Sequence, residues 1–191
     1  MNQSVDESWS CDAADEQGWV RFEHLQTTAA RGGPEGFFEA FPRPALLCVF
    51  GGDDGSDVVD ANESGIQLLT VSVKSTGVLR YLSRVAFVAK RPGNPYAHLI
   101  SIGRSATNDI TLAVDSVSKV HGYIARAASD DGSAVYRFTD HGSTNGSKLN
   151  GEDLEPSREI RLRDRDVLQI GLEVHLQYLE PESLYRRVTK S

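Results

Sequence analysis

Cysteine, long apolar runs and clustered positive charge are all scarce in this sequence, and each absence excludes a class of protein. The two cysteines, Cys11 and Cys48, match no metal-ligand spacing and are too few for the disulfide framework of a small secreted domain. No apolar stretch approaches the roughly 20 residues that a membrane-spanning helix requires. Asp6 and Glu7 stand where a secretory signal would carry positive charge. We therefore expect a soluble, cytoplasmic protein with no membrane partner.

Negative charge is concentrated in the N-terminal part of the chain. Residues 1–80 hold 13 acidic and 5 basic side chains, a net of −8, and residues 81–191 hold 14 and 15, a net of +1, which together give −7. Such a chain repels the backbone of a nucleic acid over most of its surface. We expect no nucleic-acid partner, and any anion that binds must be captured by a local cluster of donors.

Residues 1–80 predict an acidic extension that is partly disordered or forms a small accessory α/β segment. Residues 1–18 are polar and aperiodic, which is typical of a disordered leader. Apolar residues at helical spacing predict a short amphipathic helix over residues 19–30, ended by a Gly-Gly-Pro sequence. Two apolar runs, Leu46–Phe50 and Ile66–Val73, predict strands. A second small domain, extra strands on a neighbouring sheet and a tail all remain open.

From about residue 81, short segments rich in valine, isoleucine, tyrosine and phenylalanine alternate with turn residues. The candidate strands are Arg84–Ala89, Leu99–Gly103, Asp109–Leu112, Gly122–Arg126, Ala134–Thr139, Ser147–Asn150, Asp166–Ile170 and Glu173–Leu179. Their even spacing predicts an all-β sandwich over residues 81–180. Pro181 opens Glu182–Val188 and predicts a short C-terminal helix within residues 181–191.

Three polar clusters fall between the predicted strands. They are Gly103-Arg104 followed by Asn108-Asp109-Ile110, then Ser118-Lys119-Val120-His121, and then Asp140-His141-Gly142-Ser143-Thr144-Asn145-Gly146, with Asn150-Gly151 beyond them. Loops that join the strands of a sandwich can gather at one end of it and carry function there. A phosphothreonine carries about −1.5 to −2 charges and three acceptor oxygens, so its receptor needs a guanidinium or ammonium and several neutral donors. The clusters supply such donors in Arg104, Ser118, Lys119 and Thr144.

The order of these clusters resembles the forkhead-associated domain. The family signature is a Gly-Arg after the second strand, a Ser-x-x-His loop and an Asn-Gly pair in a Ser-Thr-Asn-Gly context, and all three elements occur here in order. The resemblance covers about Tyr81 to Leu179 and implies a forkhead-associated-type β-sandwich of two antiparallel sheets. It departs from the family at Arg165, where a late turn usually has the glycine of Asp-Gly-Asp, which leaves the shape of that turn open.

The resemblance assigns roles to individual residues. Arg104 and Ser118 would contact the phosphate, and Lys119 would add a donor. Thr144 would line the phosphothreonine pocket, and Asn145 would hold the main chain of the peptide. The structural positions of the motif would be Gly103, His121, Gly146, Asn150 and Gly151, with His121 bracing the Ser118 loop.

Specificity and regulation are also implied by the resemblance. Ser116 occupies the place where family members often contact the third residue after the phosphothreonine, and a neutral serine there predicts no strong demand for an acidic residue. Some bacterial members bind their own phosphorylated N-terminal threonine, which makes Thr27 or Thr28 a candidate intramolecular ligand. The other interpretation of Thr27 and Thr28 is two ordinary threonines at the end of a helix.

Two functions follow from the sequence, and neither is enzymatic. The first is a phosphothreonine-dependent adaptor in Ser/Thr kinase signalling, which binds threonine-phosphorylated proteins such as a kinase or its substrates. The alternative is a degenerate forkhead-associated scaffold that binds proteins without recognising phosphate, for which a buried or salt-bridged Arg104 would be the sign.

An enzyme, a metal site and a nucleotide site are each disfavoured. Asp115, Ser118 and His121 have the residue types of a catalytic triad but fall within one loop, without the Gly-x-Ser-x-Gly setting of a hydrolase serine. The five histidines lack the close spacing of a zinc site, and no phosphate-binding glycine motif occurs. We expect no metal and no cofactor.

Overall fold

The computed structural model describes residues 11–49, 83–91, 94, 98–129 and 132–190. Within these residues the strands are Trp19–Arg21 (β1), Ala45–Val49 (β2), Arg84–Phe87 (β3), Leu99–Gly103 (β4), Ile110–Thr111 (β5), Gly122–Ala128 (β6), Ala134–Asp140 (β7), Ser147–Leu149 (β8), Glu152–Asp153 (β9), Ile160–Arg161 (β10), Val167–Ile170 (β11) and Val174–Leu179 (β12). The helices are Phe22–Ala40 (α1) and Pro181–Thr189 (α2). The predicted strand Ile66–Val73 lies outside the described residues.

The described strands form two sheets that pack face to face. One has the order β1-β3-β2-β12-β11-β8-β9, and the other has the order β10-β7-β6-β4-β5. Neighbouring strands are antiparallel except β4 and β5, which pair in parallel through Ile102–Ile110 and Gly103–Thr111. The all-β sandwich with a short C-terminal helix is therefore confirmed, with one parallel bridge added.

The seven-stranded sheet is covered on both faces. In β2, Leu46 and Cys48 face the sandwich core, and Leu47 and Val49 face a second apolar cluster built with α1 and α2. A strand covered on both sides needs apolar residues at every position, because successive side chains alternate between the faces. This double burial explains why β2 has the sequence Ala-Leu-Leu-Cys-Val without polar alternation.

The predicted boundary at residue 81 does not coincide with the edge of the sandwich. β2 lies between β3 and β12 in the sheet, with Leu46 opposite Tyr178, and β1 forms the edge beside β3. Residues 11–18, predicted as part of a disordered leader, form turns and hydrogen bonds, including an ion pair between Asp15 and Arg84. The described part of the N-terminal extension therefore belongs to the same folded unit.

Helix α1 differs from the predicted helix over residues 19–30. Residues 19–21 form β1, because Trp19 and Val20 pair with β3 and are buried. The helix then continues to Ala40, interrupted at Gly33, which adopts φ 60° and ψ −162°. Pro34 opens the next turn, a position where proline loses no helical hydrogen bond. The first helical part thus ends at the Gly-Gly-Pro sequence, and a second helical part follows it and ends at Ala40.

The late turn keeps a left-handed residue although it has no glycine. Arg165 has φ 70°, the conformation that glycine adopts without strain. Its neighbour Asp166 accepts the Arg163 N–H at 2.7 Å, and the Arg165 N–H binds the Tyr178 carbonyl at 2.7 Å. Hydrogen bonds on both sides of the turn therefore hold the arginine in this conformation.

No helix in the described ranges is both long enough and apolar enough to span a membrane.

Candidate functional site

Three loops meet at one end of the sandwich, as the clusters predict. The Arg104 N–H, at the end of β4, donates to the Ser118 carbonyl at 2.9 Å. The Thr144 N–H, in the β7–β8 loop, donates to the Ser118 hydroxyl at 3.0 Å. The Asn145 amide nitrogen donates to the Ser116 carbonyl at 2.8 Å. The β5–β6 loop therefore lies between the other two loops and contacts both.

The guanidinium of Arg104 lies at the surface beside this junction. Its Nε donates to the Val117 carbonyl at 3.1 Å, which holds the side chain against the Ser118 loop. Arg104 is exposed and forms no ion pair with any described residue. The other NH groups of the fork therefore stay available to an anion.

Ser118 and Thr144 place two hydroxyl groups next to this guanidinium. Their oxygens lie 3.4 Å apart, at the long end of hydrogen-bond distances. Lys119 follows Ser118 and has an exposed side chain, and its carbonyl is held by the Ser105 N–H and the Asn108 side chain. Two exposed cationic residues, Arg104 and Lys119, thus lie in the loops that carry these two hydroxyl groups or contact them.

His121 is fully buried, and its imidazole contacts the Ser118 loop. Its Nδ1 accepts the Ser118 N–H at 3.2 Å, so the proton of the neutral ring sits on Nε2. Nε2 lies 3.1 Å from both the Gly146 carbonyl and the Ser147 hydroxyl. One imidazole therefore joins the serine loop to the Asn-Gly turn, and it can do so only while Nδ1 is unprotonated.

The pKa of His121 makes this brace sensitive to acid. Burial lowers the pKa of the imidazole, and the Asp140 carboxylate and the Gly146 carbonyl oppose that shift without reversing it. Between the folded pKa and 6.5, the ordinary value, the unfolded chain binds more protons than the folded chain. The stability that His121 contributes is therefore present above pH 6.5 and is lost as the pH falls below it.

We expect the free energy of unfolding to fall between pH 7.5 and 5.5, by at most about 1.4 kcal/mol per pH unit from this one group. Urea titrations of the parent and of His121→Gln measure it, and the variant should lack this component. Burial raises the pKa of Glu180, so this group makes the free energy of unfolding rise as the pH falls. Its contribution is the same in both proteins and cancels when the profile of the variant is subtracted from that of the parent. Parallel pH profiles for the two proteins would contradict the expectation; if the variant does not fold, an NMR titration of the imidazole replaces it.

A buried carboxylate, that of Asp140, lies beneath the Ser-Thr-Asn-Gly loop; the sequence analysis places this residue in the third cluster but gives it no role. Asp140 accepts the Ser143 N–H at 2.7 Å, the Ser143 hydroxyl at 2.7 Å and the Ser147 hydroxyl at 2.6 Å. Burial alone would raise the pKa of Asp140, but these hydrogen bonds and nearby His121 outweigh it and lower the pKa. In the sequence, the position of Asp140 directly before His141-Gly142 is the feature that could have pointed to this role.

The structural glycines divide into two groups. At Gly103 a Cβ would lie 2.5 Å from the Lys119 carbonyl, so only glycine allows the Ser118 loop to pack against β4. Gly146 and Gly151 have φ angles of 71° and 87° and belong to turns. Asn150 also has a positive φ. Its side chain accepts the Val167 N–H and donates to the Asp166 carboxylate, so it joins its own turn to the start of β11.

Ser116 lies in the β5–β6 loop, against Asn145 and Gly171. Its hydroxyl is buried and has no hydrogen-bond partner among the described residues. Gly171 packs closely against it, because a Cβ on Gly171 would lie 2.6 Å from the Ser116 carbonyl oxygen. That carbonyl holds the side chain of Asn145. Ser116 therefore contacts Asn145 through its backbone carbonyl, and its role in peptide specificity stays a prediction.

The triad residue types do not form a catalytic arrangement. His121 binds the backbone N–H of Ser118 and not its hydroxyl, so it is not oriented to take the serine proton. Among the described residues, no group of three histidine, cysteine, aspartate or glutamate side chains could hold a metal ion. The geometry suits the binding of an anion.

The candidate intramolecular ligands lie within helix α1. The Thr27 hydroxyl donates to the Glu23 carbonyl at 2.9 Å, and the Thr28 hydroxyl donates to the His24 carbonyl at 3.0 Å. The ordinary interpretation, two helical threonines, agrees with these contacts.

Comparison with known proteins gives a family match over the site. Residues 100–171 match the family model for the FHA domain, the forkhead-associated domain. No curated protein matches the chain.

Solved structures of FHA domains are similar to the chain. The MEK1 FHA domain is 20% identical, covers 78% of this chain and 99% of its own, and has a TM-score of 0.47. The FHA domain of an Arabidopsis thaliana hypothetical protein is 23% identical, covers 73% and 86%, and has a TM-score of 0.44. The N-terminal FHA domain of S. cerevisiae RAD53P, in complex with a phosphothreonine peptide, is 23% identical, covers 47% and 73%, and has a TM-score of 0.38.

The family match covers all three loops of the site. The chain therefore contains a segment, residues 100–171, that matches the forkhead-associated domain family.

Proposed function

We propose that this protein is a phosphothreonine-dependent adaptor in Ser/Thr kinase signalling, which binds threonine-phosphorylated partner proteins through Arg104, Ser118, Lys119, Thr144 and Asn145. The observation that carries the proposal is the exposed guanidinium of Arg104, tied to the Val117 carbonyl and without an ion pair among the described residues. A planar fork of this kind fits two oxygens of a phosphate ester.

The local charge supports the capture of a dianion by a protein that is acidic overall. The chain carries a net −7, yet Arg104 and Lys119 are both exposed at the junction of the three loops. Hydroxyl and backbone donors complete the set, and bonds from them to a charged oxygen are about twice as strong as bonds between neutral groups. The degenerate alternative requires a buried or salt-bridged Arg104, which the exposure of its side chain does not favour.

Isothermal titration of the full chain tests the proposal. The peptides come from an unbiased phosphothreonine library, and each is matched with its unmodified twin. We expect the phosphorylated form to bind at least about 100-fold more tightly, because two charge-assisted hydrogen bonds contribute about 1.5–3 kcal/mol each. Equal affinity for both forms would favour the scaffold. The signalling role is tested by capture from lysates, in which phosphatase treatment should abolish partner binding.

A further inference from the structure

An N-terminal segment, which we call the brace (residues 15–19), packs along the outer edge of strand β5. The Gln17 carbonyl accepts the Thr111 N–H at 3.2 Å, and the Trp19 indole N–H donates to the Thr111 carbonyl at 2.9 Å. Gly18 has φ 87°, and a Cβ there would lie 2.8 Å from the Asp109 carbonyl. The brace therefore occupies both peptide groups of Thr111 at an edge that would otherwise be open.

Arg91 joins the brace to the loop between β4 and β5. Its Nη2 donates to the Glu16 carbonyl at 2.5 Å, and its Nη1 donates to the Asn108 carbonyl at 3.1 Å. The Arg91 N–H also donates to the buried carboxylate of Asp109 at 2.7 Å. The guanidinium thus bridges two backbone carbonyls that belong to distant parts of the chain.

Asn108 carries this connection to the backbone of the site. Its side-chain nitrogen donates to the Ser105 carbonyl at 2.8 Å and to the Lys119 carbonyl at 2.7 Å. The Ser105 N–H also binds the Lys119 carbonyl, at 3.1 Å. Asn108 therefore holds the backbone beside Arg104 against the backbone at Lys119. Arg91 in turn holds Asn108 through its backbone carbonyl.

The brace and Arg91 lie outside the segment that matches the FHA family, which begins at residue 100. We propose that they are positioning residues of this chain, which hold the Arg104 and Lys119 backbones in the conformation that binds phosphate. A site ordered in advance loses less conformational entropy on binding and so binds more tightly. This inference rests on the proposed function for its affinity readout, and a ligand-free readout tests it separately.

The first test replaces Arg91 in the full chain and measures the affinity for a phosphothreonine peptide. Arg91→Met removes the fork and should weaken binding about fivefold or more, which is the usual range for coupling between sites. Arg91→Lys keeps the charge but cannot bridge both carbonyls, so it should bind almost as weakly as Arg91→Met. Arg186→Met is the charge-matched control, because Arg186 is exposed on α2, beyond the far end of β12. Full affinity in Arg91→Lys would mean that the charge of Arg91 matters and the bridge does not.

The second test moves the brace without changing charge. Gly18→Ala places a Cβ against the Asp109 carbonyl and requires an unfavourable φ, so the brace should shift and binding should weaken by a similar factor. Gly132→Ala is the matched control, because Gly132 also has a positive φ, 82°, but a Cβ there meets no atom within 4 Å. Parent affinity in both Arg91→Met and Gly18→Ala would overturn the proposal, even if their melting temperatures fall.

Hydrogen exchange without ligand separates this inference from the proposed function. The Arg104 and Ser105 N–H groups bond to Ser118 and Lys119, and exchange reports local opening of such bonds. The exchange ratio is the exchange rate of these two N–H groups divided by that of the N–H groups of β12. In Arg91→Met this ratio should be about fivefold higher than in the parent. If the parent binds no phosphopeptide, the proposed function fails. The exchange ratio alone then tests whether the brace and Arg91 hold the backbone of the site. An unchanged ratio would overturn this inference.

Discussion

Replacing Arg104 with alanine should abolish the preference of the full chain for phosphothreonine and weaken phosphopeptide binding about 100-fold or more. The exposed guanidinium is the only group of the site that can offer a planar pair of donors to one phosphate. Loss of two charge-assisted bonds removes about 3 kcal/mol or more, and each 1.4 kcal/mol corresponds to a tenfold change in affinity. Isothermal titration with a phosphothreonine peptide and its unmodified twin measures both quantities.

Two further variants show whether charge or geometry carries the Arg104 effect. Arg104→Lys keeps the charge but loses the fork and the bond to the Val117 carbonyl, so we expect only partial recovery. Arg186→Ala removes an exposed arginine from α2 and should bind like the parent. Arg104→Ala should also unfold within about 0.5 kcal/mol of the parent, because its exposed side chain makes a single hydrogen bond. Parent affinity in a folded Arg104→Ala would end the adaptor proposal.

The strands of the FHA segment were predictable because their signals are local. β4 matches the predicted Leu99–Gly103, since apolar residues lie between polar and glycine-containing turns. The three loops were predictable for the same reason, because chemically distinctive residues lie at the strand ends. The pairs Glu152–Asp153 and Ile160–Arg161 were missed as strands, since two residues at a sheet edge leave no periodic pattern.

Features that depend on partners far away in the chain were not predictable. The position of β2 beside β12 is decided by Tyr178 and its neighbours, more than 120 residues later in the sequence. Residues 15–18 of the brace were assigned to a disordered leader, because contacts of a backbone carbonyl such as that of Glu16 leave no pattern in the sequence. Asp140 and Asn108 were placed in the polar clusters without a role, because the sequence does not distinguish a buried, hydrogen-bonded polar residue from an exposed one.

Asp140→Ala should lower the free energy of unfolding by about 3–5 kcal/mol, the range for removing one partner from a buried charged network. The carboxylate accepts from the Ser143 N–H, the Ser143 hydroxyl and the Ser147 hydroxyl, and its Oδ2 lies 3.5 Å from His121 Nε2. Ser147 and His121 are almost fully buried, so water cannot replace the lost acceptor at either of them. Urea unfolding at pH 7 measures the loss.

The matched control for Asp140 is Asp153→Ala. The Asp153 side chain is 84% exposed and pairs with Lys148 at 3.3 Å, and surface pairs of this kind contribute about 0–1 kcal/mol. The lowered pKa of Asp140 adds a second signature, because its stabilisation is present above the ordinary value of 3.8 and is lost as the pH falls through the folded pKa. The acid-induced loss of stability below pH 4 should therefore be shallower in Asp140→Ala than in the parent. Similar unfolding free energies for the two alanine variants would show that the carboxylate network does not hold the Ser-Thr-Asn-Gly loop.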